Sequence, residues 1–288
     1  MICRDRTGKD VYTNDKQLRY IKFLYDCAAG NLMLRALIRP EVSRAVGKLL
    51  NKKISKLLIG PFIKSNSIDM SIFEKENYRN YNEFFRRRIR ADKRPIDRNT
   101  YDVISPCDGK LSVYPIKDDS SFFIKDSAYT MQSLLKNSTL AKKYCGGVFM
   151  LFRLTVDDYH RYCYISDGRE SNRVRIQGVY HTVNPYAVEK RKIYRENTRV
   201  YSVLDTEHFG RVLMIEVGAM LVGKIVNHKR RKSVKRGDEK GYFEFGGSTI
   251  ILCFEKDMIT VDKDILKNTA EEYETIVKMG EKIGTALH

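Results

Sequence analysis

The feature that most limits how this chain can fold is a change of texture near residue 100. Before it, apolar residues recur at helical spacing: Tyr20 to Ile38 is apolar with scattered charges and stops at Pro40. The next segment, EVSRAVGKLLNKKISKLLIGPF, carries Val42, Val46, Leu49, Leu50, Ile54, Leu57 and Leu58 at that spacing. Arg44, Lys48, Lys52, Lys53 and Lys56 fall largely elsewhere on the wheel, and Gly60-Pro61 closes the predicted helix. After residue 100, strand-like runs alternate with Gly, Asn, Asp and Pro turns. Examples are 146–155, 241–257, and 201–226, which reads as a hairpin turning near His208–Gly210. The expected fold class is α+β. A helical, membrane-facing N-terminal region (1–100) caps a mainly antiparallel β body (101–288) that ends in a short helical tail from about Asp264.

Charge narrows the partners. Lys and Arg number 53 against 36 Asp and Glu, so the formal charge is 53 − 36 = +17, a surplus that suits a polyanion. No apolar run approaches the ~18–20 residues that span a bilayer. The basic amphipathic stretch at 41–62 fits two roles, an ordinary surface helix or one resting on anionic lipid. Helix-turn-helix, zinc-finger and RNP-type patterns are missing, so nucleic acid is not an expected partner. Six cysteines without a C-x-x-C pair, and a polar, charged Met1–Lys16 in place of a secretory signal, predict free thiols in a reducing setting and no metal site.

Several residues stand out as candidates for chemistry. Asp108 sits in SPCDGK, a tight Pro/Gly turn that by itself needs only turn chemistry. Glu216 is alone inside an apolar strand and requires a partner or an exposed face. Of the histidines, 208, 228 and 288 read as solvated, leaving His160 in DDYHRYC and His181 in VYHTVNP. Ser248 follows Gly246 and Gly247 in FGGSTIILCF, where a buried strand would ordinarily open with something that packs. A serine there either starts a strand or acts as a nucleophile served by a base and an orienting carboxylate. A hydrolase elbow is not formed, because Ile250 stands where G-x-S-x-G needs glycine.

Five segments in order resemble the phosphatidylserine decarboxylase family. YNEFFRRRIRADKRPID is similar to its F-F-x-R…R-P-I segment, SPCDGK to its S-P-x-D-G-K turn, and LTVDDYHRYC to its D-Y-H-R-x-H signature. EVGAMLVGKI resembles its G-A-x-x-V-G strand, and RGDEKGYFEFGGST its K-G-x-E-x-G-x-F-x-F-G-G-S-T run, with Arg236 in place of the lysine. The resemblance implies self-cleavage between Gly247 and Ser248, with Ser248 becoming a pyruvoyl group that serves as the covalent cofactor. The products would be chains 1–247 and 248–288, held together as a heterodimer. It further implies decarboxylation of phosphatidylserine to phosphatidylethanolamine and CO2 by a peripheral protein on the cytoplasmic face of the cell membrane, bound to anionic phospholipid.

Carried over by position, Asp108 matches the relay aspartate, Ser248 the serine, and His160 the first histidine of D-Y-H-R-x-H, associated with the decarboxylation step. The second histidine, usually placed in the self-cleavage relay, is Cys163 here. Three replacements are open: Cys163 as a thiolate, His160 serving both steps, or His181 from GVYHTVNP, ranked first because imidazole is the better-matched base near neutral pH. Two other functions remain beside this one: a decarboxylase of a related serine-headed lipid, and a non-catalytic basic membrane-binding homologue.

Overall fold

The computed structural model describes residues 2–12, 18–74, 77–124, 127–220, 224–230, 232–246 and 248–287. Gly247, Leu221–Gly223 of the apolar run, and His288 lie outside the described residues. The α+β class holds. The central strands Gly109–Pro115, Val148–Leu154, Ser248–Phe254, Arg211–Gly218 and Arg199–Thr206 lie side by side and antiparallel in an 11-stranded sheet. Each residue of Ser248–Phe254 is buried, which is why STIILCF reads as a continuous apolar run without alternation. The expected 201–226 hairpin is present as Arg199–Thr206 against Arg211–Gly218; Gly210 takes φ 62° in its turn.

The N-terminal region is helical as expected, with helices Leu18–Asp26, Ala28–Leu37, Pro40–Leu50, Ile59–Ser65 and Tyr81–Phe85. Two short strands precede them. Ile2–Arg4 and Asp10–Tyr12 pair with each other, and Ile2–Arg4 runs parallel to Glu274–Val277 at the edge of the large sheet.

The single helix expected over 41–62 is three pieces. The α-helix ends at Leu50, a 3-10 turn covers Lys53–Leu58, and a new α-helix takes Ile59–Ser65. The break is stabilised by groups the periodicity cannot show. The Ser55 hydroxyl donates to the Leu50 and Lys52 carbonyls at 2.8 and 2.7 Å, and the Asn82 amide donates to the Gly47 carbonyl at 3.0 Å. Helix-end carbonyls are thereby satisfied. Gly60-Pro61 closes nothing: both residues sit in the first turn of the last piece, where the ring is tolerated.

The C-terminal tail likewise holds more than a helix. Lys263–Ala270 is helical, but Glu274–Val277 then pairs with the Gly109–Pro115 strand and Lys282–Ala286 with Asp102–Ile104. The last forty residues are therefore woven into the body on both sides of Asp108.

The cap has an apolar cluster of its own, Leu50, Ile59, Tyr78, Tyr81, Phe84 and Phe85, with Phe245 packed against it. That contact ties the helical region directly to the segment leading into Ser248.

Candidate active site

Ser248 opens its strand between two neighbours, opposite Gly218 on one side and Leu154 on the other. It is fully buried, and its Oγ has no hydrogen-bond partner among the described residues. Thr249 Oγ1 is orphaned in the same way. A buried polar atom left unmade costs about 1–3 kcal/mol, so an orphaned hydroxyl at a strand start calls for a reason. Two residues upstream Gly246 holds φ 124°, a conformation closed to side-chain-bearing residues.

His160 faces the same segment. The Phe243 amide donates to the His160 carbonyl at 2.9 Å, and the short run from Phe243 leads to Ser248. The Phe85 ring lies 4.3 Å from the imidazole and 5.3 Å from the Phe245 ring, so these aromatics wall the space. Nδ1 is 2.9 Å from the Asp158 carbonyl. A carbonyl only accepts, so Nδ1 carries the proton and Nε2 keeps its lone pair. Nε2 is buried with no partner among the described residues. Burial pushes the ring's pKa down to about 4, so it is neutral near pH 7.

Asp108 lies in its turn as expected, but among the described residues its hydrogen bonds and ion pairs go to residues other than the predicted site side chains. Arg94 grips its carboxylate, Nε donating at 2.9 Å to Oδ1 and Nη2 at 2.6 Å to Oδ2. The Met279 amide donates to Oδ1 at 2.9 Å, and Lys278 Nζ stands 3.8 Å away. Cys163 is beside that turn, its backbone N–H donating to the Pro106 carbonyl at 2.8 Å. Burial pushes its thiol up to about 12, against the nearby Arg236 charge, so it stays protonated near neutral pH.

His181 is hydrogen-bonded at one ring nitrogen and has a carboxylate near the other. Nδ1 pairs with the Tyr25 hydroxyl at 2.9 Å, and Nε2 is 3.4 Å from the Glu196 carboxylate. Burial, aided by the Arg191 charge, holds its pKa at about 4. Its backbone is bonded to the Asn197 side chain, which also donates to the Gly218 carbonyl opposite Ser248. His181 thus has a partner near each ring nitrogen, whereas Nε2 of His160 has none among the described residues, a difference the sequence could not reveal.

Of the histidines read as solvated, His228 is exposed and pairs with Glu239, while His208 is half-buried and stacks on Tyr101 at 4.2 Å. Glu216 finds its partner in Lys240, both fully buried, with Glu170 3.5 Å from the same ammonium.

Residues 81–285 match the model of the family described as phosphatidylserine decarboxylase. The chain is 46% identical over 283 residues to phosphatidylserine decarboxylase proenzyme 2 of Clostridium acetobutylicum, covering 97% of each. It is 43% identical to the phosphatidylserine decarboxylase proenzyme of Clostridium novyi, covering 93% of each. The proenzyme of Fusobacterium nucleatum is 42% identical, with 92% of this chain and 90% of that one covered. The chain belongs to the phosphatidylserine decarboxylase family.

Two residues of the decarboxylase motifs went unnoticed as site builders in the sequence. Lys110, the lysine of SPCDGK, donates to Thr155 Oγ1 and Asp158 Oδ2 at 2.6 and 2.5 Å, fixing the turn that carries His160. Arg94, the arginine of R-P-I, is the clamp on Asp108. The signal was in the motifs: each is a cation inside a segment already singled out.

Proposed function

We propose that this chain is a proenzyme that cuts its own 247–248 bond and then, as chains 1–247 and 248–288, decarboxylates phosphatidylserine to phosphatidylethanolamine and CO2. The observation that carries the reading is the buried, unpartnered Ser248 hydroxyl beside Gly246 at φ 124°. Ser248 Oγ attacks the Gly247 carbonyl carbon, and the amide becomes an ester as the C–N bond breaks. His160 Nε2 takes the hydroxyl proton and returns it to the departing nitrogen. Loss of the Ser248 Cα proton expels the ester oxygen with the upstream chain as a Gly247 carboxylate. Water then displaces ammonia, leaving a ketone at the head of 248–288. His160 is the base this geometry favours, with Cys163 held protonated and His181 engaged elsewhere. Asp108, clamped by Arg94, contributes a fixed negative charge near the turn.

The residues fit a pyruvoyl group formed in place, because its precursor hydroxyl is orphaned and needs no space created for it. When formed, the pyruvoyl supplies a ketone that draws in the electron pair released with CO2. This chain's own part is to hold the group at the buried end of a paired strand, exclude water with Phe85 and Phe245, and offer His160 Nε2 as the proton-handling atom.

Contact with lipid is supported by the broken 41–62 segment. Ile54 and Leu57 are 73% and 76% exposed, flanked by exposed Lys52, Lys53 and Lys56. Each cation near an anionic surface adds about 1 kcal/mol. No helix among the described residues is long and apolar enough to cross a membrane. A peripheral seat on the cytoplasmic face of the cell membrane follows from this reading. Wild-type protein on phosphatidylserine vesicles is expected to release CO2, and the Ser248→Ala chain to remain whole and release none. CO2 release by the Ser248→Ala chain contradicts the reading.

A further inference from the structure

Arg87 belongs to the FFRRRIR run whose other arginines, 86, 88 and 90, reach the surface to varying degrees. Arg87 is different: only 2% of it is exposed. Its guanidinium lies 4.5 Å from the centre of the Phe73 ring and 4.8 Å from that of Phe84. Nη2 donates weakly to the Asp157 carbonyl at 3.4 Å. Nε and Nη1 are buried with no partner among the described residues, and no carboxylate of those residues reaches salt-bridge distance.

A buried guanidinium with two idle donors and no carboxylate of the described residues at salt-bridge distance is costly unless an anion arrives. Burial already holds its proton affinity below that of a free arginine. The group stands close to the chemistry. Two residues back, the Phe85 ring packs 4.3 Å from the His160 ring, and the His160 pKa is depressed chiefly by burial and further by the Arg87 charge, against the opposing pull of Asp158.

We infer that Arg87 binds the phosphodiester of the lipid headgroup, an inference that rests on the decarboxylase reading above. The substrate brings two anions, a carboxylate and a phosphodiester. A guanidinium on the carboxylate would stabilise the ground state and oppose the loss of CO2, because that charge leaves its site in the transition state. The phosphodiester keeps its charge from substrate to product. Arginine's planar donors suit phosphate oxygens, and the two ring contacts hold the head in place before the anion enters. Arg87 is then a binding residue that places the serine head toward Ser248 and does not take part in the bond changes.

Two measurements test this. Calorimetry on the uncleaved Ser248→Ala chain compares glycerophosphoethanolamine, which has the phosphodiester and no carboxylate, with free serine, which has the reverse. Adding Arg87→Gln is expected to weaken the first roughly tenfold to a hundredfold and leave the second unchanged. The kinetic assay uses Arg87→Gln protein whose self-cleavage is complete by intact mass, so that any effect of the lost charge on His160 during maturation is kept apart from lipid binding. KM for phosphatidylserine in mixed micelles should rise by a similar factor with kcat nearly kept. Arg87→Lys, which keeps the charge, should fall between, and it carries both measurements if the Gln variant does not fold. The inference is overturned if glycerophosphoethanolamine binds both chains equally or neither, if serine binding falls instead, or if kcat drops with KM unchanged. A wild-type protein that releases no CO2, yet binds glycerophosphoethanolamine through Arg87, would count against the decarboxylase reading and leave this one standing.

Discussion

Ser248, His160 and Asp108 do not form one hydrogen-bonded chain in the uncut protein. Two of them carry idle atoms, and the third is held by Arg94. This separates their predicted failures. Cys163→Ala should leave self-cleavage within about twofold of wild type, because burial keeps that thiol protonated near pH 7; a chain that stays whole on a denaturing gel would restore the thiolate as base. Gly246→Ala should block maturation, since φ 124° strains any residue with a Cβ by roughly 1–3 kcal/mol. Normal cleavage of that variant would remove strain from the account. The candidate residues were readable in the sequence because catalytic types cluster in short motifs. The state of each was not. Nothing in VYHTVNP tells that Tyr25 and Glu196 occupy the His181 ring from distant segments, and nothing in DDYHRYC tells that Nε2 of His160 is free.

Among the elements, the central strands were legible wherever they are long and apolar, as in Ser248–Phe254 and the 199–218 hairpin. The short strands Glu274–Val277 and Lys282–Ala286 were not, because their charged and glycine positions blur the alternation that marks a strand. The break after Leu50 depends on Ser55 and Asn82 reaching helix-end carbonyls, which no periodicity records. The lone Glu216 signalled a missing partner, and Lys240 supplies it from another strand. Lys240→Met should therefore cost about 3–5 kcal/mol, since it strands the fully buried Glu216 without its cation, while Glu170 keeps Arg173. A thermal midpoint equal to wild type would refute this. For the cap, Ile54→Glu with Leu57→Glu should abolish co-sedimentation with anionic vesicles while self-cleavage proceeds. Undiminished sedimentation would move the lipid-facing surface elsewhere.

At the scale of the whole molecule, the segment downstream of the proposed cut is interwoven with the segment upstream of it. Residues 248–288 contribute the serine strand inside the large sheet, a strand beside Gly109–Pro115, and the Met279 amide on Asp108. The two buried histidines couple this fold to pH. Each is held near 4, chiefly by burial, while an unfolded imidazole titrates near 6.5. Between those values the unfolded chain binds protons that the folded chain refuses, so stability falls as pH drops from about 6.5 toward 4. The melting temperature of the Ser248→Ala chain should decline across that window, and His181→Gln should flatten part of the decline.

The central claim is that one buried bond is positioned to rearrange and leave a ketone behind. Intact mass of the purified wild-type protein reads it directly. The account predicts two species, residues 1–247 and residues 248–288. The smaller should be lighter by one ammonia than a serine-started peptide and blocked to N-terminal sequencing. A single species at the mass of the full 288-residue chain would contradict it.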